Sequence, residues 1–344
     1  MATLGPTLEK EEDIIQAVVA GARWIRLHCG YRQRPQVENG RLVRLAATRT
    51  GVPVQLLLDL PSSRPRTGAM QDLRLALGDK VIFWDPEAAG HSPEKNGVCP
   101  VPLPGLGELL PKLAPKHRIL FCDGRITFVV DKLEEGLVTA HLADGTIPLK
   151  SSNSLFLPDS SSGFRPVTPQ DRDLLKEFAA AKVLPDWVAL SLIATPNDVC
   201  EGRAEARECL GHKVGVMAKI ETLSAVDHAE AIIEVADAIM VARGDLGQAV
   251  GYARLPEVQE RLVTAARRAG KPVVVATQIL ESFAATGLPQ RAELSDLSLI
   301  ARQRADVIMF GKETVFSPRP LDCIRLANEI LTYETRRFEK EYGS

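Results

Sequence analysis

The chain is expected to fold as an α/β protein, a (β/α)8 TIM barrel with a small β-barrel lid domain inserted, and three observations predict this. Short β-branched or apolar runs recur, with helix-length patterns between them, the signature of alternating strand and helix. Eight such runs can be marked, which favours a closed barrel over an open sheet. The alternation breaks once, between Arg66 and Thr168, where the sequence has a different texture.

Taken in order, the candidate strands are residues 2–4, 24–28, 52–59, 187–193, 214–219, 238–241, 272–276 and 306–310. Helices are expected at 9–20, 170–181, 223–235, 256–269, 291–302 and 321–333. In the first of these Ile14, Ile15, Val18 and Val19 share a face, and acid residues from Glu9 to Asp13 complement the positive helix end. Gly211 and Gly270 stand where left-handed caps would end helices. The tail from Glu334 to Lys340 reads as a solvated helix face or a frayed end. Inside the interruption, residues 80–84, 125–130 and 137–142 alternate like strands, and Asp144-Gly145 has the composition of a hairpin turn. Residues 100–115 are proline-rich and 151–162 read as a polar linker. The expected organisation is a barrel from residues 1–68 and 166–344, with a β domain at 69–165. Insertions at that barrel face commonly act as lids.

Composition sets bounds. A net charge of -2 gives no reason to expect nucleic acid, and 45% hydrophobic with 25% charged residues is ordinary for a soluble globular protein. Six scattered cysteines without a Cys-x-x-Cys pair suggest reduced, mostly buried thiols rather than a disulfide frame or zinc site. No apolar run reaches membrane-spanning length and no signal-type segment follows Met1, so a cytoplasmic protein is expected.

The stretch from Met217 to Leu246 carries the densest chemistry. Two short apolar runs end in charge, Lys219 and Glu221 after the first, Arg243 and Asp245 after the second. In a parallel barrel all strand ends open on one face, so two anions and two cations are expected to converge there. Arg26, Asp59, Ser191 and Thr277 fall at other strand ends. A hard cation such as Mg²⁺ or Mn²⁺ wants one or two carboxylates, with substrate oxygens and water completing its shell, and Glu221 and Asp245 fit that need. Gly244 permits close approach, and amides of Gly244 and Asp245 at a helix start suit a substrate carboxylate. Lys219 would stabilise charge developing on an enolate or a transferring phosphoryl group. The plainer reading makes Glu221, Asp245 and Lys219 a structural ion-pair set, Arg26 and Arg66 surface ion pairs, Thr277 a helix cap and His28 a packed histidine.

The chain resembles the pyruvate kinases across nearly all of its expected barrel and lid. The matching segments are Thr3-Leu-Gly-Pro6, Ile25-Arg-Leu27, Leu58-Asp59, Arg66-Thr-Gly68, Asp123-Gly124, Lys219-Ile-Glu221, Ile239 to Gly247, Gly270-Lys-Pro272, Ala276-Thr-Gln278, Leu280-Glu-Ser282, Arg291-Ala-Glu293, Ser295-Asp296 and Glu313-Thr314. The resemblance implies phosphoryl transfer from phosphoenolpyruvate to ADP or another nucleoside diphosphate, giving pyruvate and ATP. It makes Glu221 and Asp245 the divalent-metal ligands, Lys219 the catalytic lysine, and Thr277 the threonine that helps protonate the enolate. Arg26 matches the phosphate-binding arginine and Arg66 a second active-site arginine.

Departures cluster on the cation and nucleotide sides. Where the family binds a monovalent cation through Asn, Ser, Asp and Thr, this chain has His28, Gly30, Asp59 and Leu60, so only the aspartate survives. Arg64 aligns with the glutamate of the potassium-dependent enzymes, a fixed cation in place of K⁺, so K⁺ is not expected to be required. Tyr31 replaces a histidine beside the nucleotide site, Pro61 replaces a lysine, and Lys150 is displaced from the lid lysine. The family's C-terminal regulatory domain has no counterpart before Ser344, so effector control through it is not expected, while pairing of barrels into a homo-oligomer stays open. The alternative function keeps the enolate chemistry and drops the nucleotide: a metal-dependent lyase, aldolase or decarboxylase. A non-catalytic relative that binds a metabolite or a partner is the third possibility, and the intact enolate residues argue against it.

Overall fold

The computed structural model describes residues 1–30, 36–62, 64–89, 93, 98–122, 124–134, 136–160 and 164–342. Fourteen strands lie among them. Eight form one parallel sheet: β1 (Ala2–Thr3), β2 (Trp24–His28), β3 (Gln55–Leu60), β10 (Trp187–Leu190), β11 (Gly215–Ile220), β12 (Ala238–Ala242), β13 (Val273–Ala276) and β14 (Val307–Met309). The order follows the chain, and β14 returns to β1. There the Met1 amino nitrogen donates to Ile308 O at 2.7 Å, and Phe310 N donates to Met1 O at 3.0 Å. The sheet is therefore a nearly closed (β/α)8 barrel, as the eight spaced runs predicted.

Strand period sorts the side chains. Leu56, Leu58, Val216, Ala218, Val273 and Val275 face outward into the layer beneath the helices, whereas Leu57, Met217, Ala189 and Val274 fill the barrel. Continuing the same alternation along each strand makes Asp59 and Lys219 the next inward residues after Leu57 and Met217. A polar layer at the carboxyl end thus follows directly from where these residues fall in the period.

Between β3 and β10 in sequence lies the mixed sheet: β4 (Lys80–Trp84), β5 (Cys99–Pro102), β6 (Arg118–Phe121), β7 (Ile126–Glu134), β8 (Leu137–Gly145) and β9 (Leu155–Phe156), in the order β5-β4-β8-β7-β6-β9. It has its own core, including Phe83, Phe121 and Phe128. Leu120 and Phe156 of this sheet also pack on Leu192 and Ala249 of the barrel.

Several expectations need correction. Asp144-Gly145 is not a hairpin turn: both residues pair with Thr127 and Ile126 at the end of β8, and β7 and β8 join around Gly136, at φ +73°. The stretch read as a polar linker holds β9, because Leu155, Phe156 and Leu157 are buried; residues 161 and 162 fall outside the described ones. The helix expected at 223–235 is two, Leu223–Asp227 and Ala229–Val235, parted at His228, whose Nδ1 lies 2.9 Å from Ser224 O. Helices Gln36–Thr50 and Pro196–Leu210 were not expected. The first has few large apolar residues and packs through Gly40, where an added Cβ would meet Phe178 at 2.8 Å. The second did announce its end, since Gly211 takes φ +69° as anticipated. The last helix, Pro320–Tyr342, runs well past Tyr333 and includes the charged tail. All six cysteines lie outside disulfides, but only Cys29, Cys209 and Cys323 are buried. Among the described residues no helix is long and apolar enough to cross a membrane.

Candidate active site

The carboxyl end of the barrel gathers a chain of charge around Lys219. Its ammonium donates to Ser191 Oγ at 2.8 Å and lies 3.4 Å from both Asp59 Oδ1 and Glu221 Oε2. Arg26 donates through Nε to Asp59 Oδ2 at 2.7 Å and through Nη1 to Thr3 Oγ1 at 3.1 Å. Ser191 donates to Leu60 O at 2.7 Å. All these side chains are nearly buried, so each charge is held by its neighbours rather than by water.

The two carboxylates on Lys219 have opposite fates. Burial alone would raise the Asp59 carboxyl, but Lys219 and Arg26 outweigh it and hold Asp59 well below the usual carboxylate range. Burial raises Glu221, and of the charges acting on it Lys219 opposes the rise and nearby Asp245 adds to it. Glu221 Oε1 accepts from Leu192 N at 2.6 Å, while Oε2 is buried without any hydrogen-bond partner. Lys219 itself is raised: burial would lower it, and Asp59 and Glu221 overcome that.

Asp245 lies not on a strand but in the first turn of the helix Arg243–Val250, which begins without a side-chain cap. Its carboxylate pairs with Arg64, whose guanidinium also lies 5.8 Å from the Phe156 ring centroid in the mixed sheet. The fixed cation expected near Asp59 thus sits on Asp245, and Arg26 with Lys219 serves Asp59 instead. A Cβ built on Gly244 would lie 3.6 Å from Thr277 Oγ1, so Gly244 and Thr277 border the same space. Thr277 Oγ1 is buried with no hydrogen-bond partner.

Not every expected residue joins this group. Arg243 is buried but turned away from Asp245: Nη1 meets both oxygens of Asp296 at 2.8 and 2.7 Å, and Nη2 donates to Thr277 O at 2.7 Å. The expected convergence of two cations between Glu221 and Asp245 is therefore met by Lys219 and Arg64. Arg66 is exposed and donates to Ser152 O at 3.0 Å, at the root of the mixed sheet. His28 is a packed histidine, its Nδ1 accepting from Gly30 N at 3.2 Å, and burial followed by Arg26 lowers its pKa to about 3. Tyr31 and Asp123 lie outside the described residues. Sequence reasoning gave no role to Gln248, Asp296 or Glu313. Gln248 donates to Gly244 O at 3.0 Å and lies under Gly124 of the mixed sheet, where an added Cβ would meet it at 3.2 Å. Asp296 and Glu313 fell within matched segments, the only signal that pointed to them.

A sequence model of the pyruvate kinase barrel domain matches residues 1–324. The chain belongs to the pyruvate kinase family. The pyruvate kinase of Methylorubrum extorquens is 33% identical over 333 residues, covering 96% of this chain and 67% of that one. The pyruvate kinase of Mycobacterium tuberculosis is 32% identical over 339 residues, covering 96% and 68%. The crystal structure of pyruvate kinase from Pyrobaculum aerophilum superposes with a TM-score of 0.84 at 26% identity, over 96% of this chain and 72% of that one. The chain thus spans about two thirds of these curated relatives' lengths, and it is a pyruvate kinase-type phosphotransferase. Members of the family generally use a divalent metal and bind phosphoenolpyruvate and ADP.

Proposed function

We propose that the chain transfers the phosphoryl group of phosphoenolpyruvate to a nucleoside diphosphate in a Mg²⁺-dependent reaction and then protonates the enolate to pyruvate. The observation that carries this reading is Glu221 Oε2, a buried carboxylate oxygen with no hydrogen-bond partner beside Asp245. Lys219 comes no nearer to it than 3.4 Å, and the missing hydrogen bond costs about 1–3 kcal/mol, which a hard cation would recover. Glu221 and Asp245 would hold that ion, with Arg64 yielding part of its hold on Asp245. Bound there, Mg²⁺ would supply positive charge to the oxygens of the phosphoryl group and the enolate.

The chain's own groups do the rest. Arg26 has Nε and Nη1 fixed by Asp59 and Thr3, which aims Nη2 at the phosphoryl oxygens. Lys219 stays protonated and meets negative charge as it develops on the transferring group and the enolate oxygen. Amides of Gly244 and Asp245, at a helix start without a side-chain cap, receive the substrate carboxylate. Thr277 Oγ1, free of protein partners, would hand its hydroxyl proton to the enolate carbon while taking one from solvent water. Ser191 keeps Lys219 in place. Arg66, at the root of the mixed sheet, reaches substrate only when the inserted domain, residues 69–165, closes as a lid over the carboxyl end of the barrel.

K⁺ does not fit. Asp59 is already engaged by Arg26 and Lys219, and Gly30 and Leu60 bring no side-chain oxygen. The enzyme then works in the cytoplasm without a monovalent cofactor. The test is a pyruvate-release assay with Mg²⁺, phosphoenolpyruvate and a panel of nucleoside diphosphates, in K⁺ or tetramethylammonium salts. Nucleoside triphosphate formed at equal rates in both salts supports the reading. Turnover of oxaloacetate or a hydroxy-oxo acid, with no triphosphate formed, would replace it by the lyase chemistry.

A further inference from the structure

Thr277 and Gln278 both take left-handed backbone conformations, at φ +73° and +52°. Neither is glycine, and Thr277 is β-branched, so the turn after β13 holds only where its surroundings over-determine it. Four contacts do so. Arg243 Nη2 donates to Thr277 O at 2.7 Å and to Gln278 O at 3.2 Å. Glu313 Oε1 accepts from Ile279 N at 2.9 Å and from Leu280 N at 3.4 Å, while its Oε2 accepts from Gly311 N at 2.8 Å. Arg243 is oriented in turn by both oxygens of Asp296. A cation thus takes the two carbonyls of the turn and a buried carboxylate takes the two amides that follow. The hydroxyl between them is left without a partner.

We propose that Arg243, Asp296 and Glu313 are positioning residues that set the Thr277 hydroxyl for proton delivery to the enolate. The inference rests on the role given above to Thr277. None of the three touches the reacting atoms. Arg243 and Glu313 act through the backbone of the turn, and Asp296 acts through Arg243. Neutralising Asp296 loosens Arg243, the two carbonyls relax toward an ordinary conformation, and the hydroxyl leaves its place.

The experiment uses the full chain with Mg²⁺ and compares Asp296→Asn, Glu313→Gln, Arg243→Lys, Thr277→Ala and the double variant Thr277→Ala with Asp296→Asn. Two quantities are read: kcat and KM for phosphoenolpyruvate, and exchange of pyruvate methyl protons with D₂O followed by NMR. A hydroxyl displaced by about an ångström costs on the order of 10²-fold in the proton step. Exchange and kcat should therefore fall in Asp296→Asn and Glu313→Gln while KM stays within about threefold, the pattern of an interaction made only in the transition state. The double variant should be no slower than Thr277→Ala alone. Multiplicative losses in the double variant, or unchanged exchange in all three positioning variants while Thr277→Ala is slow, would overturn the proposal and leave the role of Thr277 standing. Full exchange in Thr277→Ala would overturn both. If Arg243→Lys does not fold, Asp296→Asn, which keeps side-chain volume, carries the same test.

Discussion

Asp59 and Glu221 end neighbouring parts of the same barrel and lean on the same ammonium, yet one carboxylate is saturated and the other is left half empty. Burial of Asp59 is outweighed by Lys219 and Arg26, so its charge is favoured and its pKa falls. Glu221 has one backbone amide and a shared lysine, so burial dominates and its pKa rises. On the proposed function, the difference separates a structural anchor from a group that would hold a cation.

The largest break in this comparison is Lys219→Met, because it strips the partner that both carboxylates share. Asp59 keeps Arg26, and Glu221 keeps only the Leu192 amide. Loss of a charged group that stabilises the transition state should lower kcat by about 10³-fold or more. Steady-state assay of pyruvate release measures it, and near-normal turnover would remove Lys219 from the chemistry.

The next break treats the carboxylates one at a time. Asp59→Asn leaves Arg26 buried without its anion and should cost about 3–5 kcal/mol of stability by denaturant unfolding. Glu221→Gln removes a poorly solvated charge, so the metal-free fold should change by about 1 kcal/mol or less. Mg²⁺ should then no longer raise its melting temperature, whereas it should still raise that of Asp59→Asn. Equal stability losses in the two variants would erase the distinction.

How much of this contrast was legible in the sequence depends on what each residue's signal is made of. Strand period and strand ends are local, so the eight runs and the inward positions of Asp59 and Lys219 could be read directly. Glu221, Asp245 and Thr277, which the proposed function places at the metal and the enolate, were picked out through short motifs. Partners were not: Arg243 bonds Asp296 and Arg64 bonds Asp245 across long sequence separations that no local pattern encodes. The helix Gln36–Thr50 was missed for a related reason. Its packing face uses Gly40, Val43 and Ala46, small residues that give little periodic contrast. Asp144-Gly145 misled because turn composition alone does not distinguish a hairpin from a strand end that pairs with Ile126.

Titration sharpens the comparison further. Glu221 has a raised pKa in the fold, so its contribution to metal-free stability is present below the ordinary glutamate pKa of about 4.3 and is lost as pH rises through the raised value. Asp59 has a depressed pKa, so its contribution is present above about 3.9 and is lost only as pH falls toward the depressed value. His28, lowered to about 3, also costs stability as pH falls through the ordinary histidine value, but equally with and without Mg²⁺, so the metal-dependent difference isolates Glu221. Mg²⁺ must displace its proton, and each unit of pH below the raised pKa should weaken Mg²⁺ about tenfold. The rise in melting temperature at fixed Mg²⁺ should grow as pH climbs through the raised Glu221 value, and be absent at every pH in Glu221→Gln. A rise independent of pH would place the ion elsewhere.

The smallest effect concerns Arg64, which holds Asp245 while Glu221 stands unsatisfied. A metal that uses Asp245 competes with that guanidinium, so Arg64→Gln should tighten Mg²⁺ binding, and because desolvation offsets most of the attraction in such a mostly buried pair, the net change should be about 1 kcal/mol. That corresponds to a gain of only a few-fold in affinity, read by isothermal titration of the metal into the phosphoenolpyruvate-free protein. The same substitution removes the fixed cation beside the substrate, so turnover should fall while metal affinity rises. K⁺ should then restore part of the lost rate in Arg64→Gln and do nothing for the natural chain. Opposite movement of affinity and rate distinguishes a cation that serves the reaction from one that merely blocks the metal, since a blocking arginine would give a variant better in both.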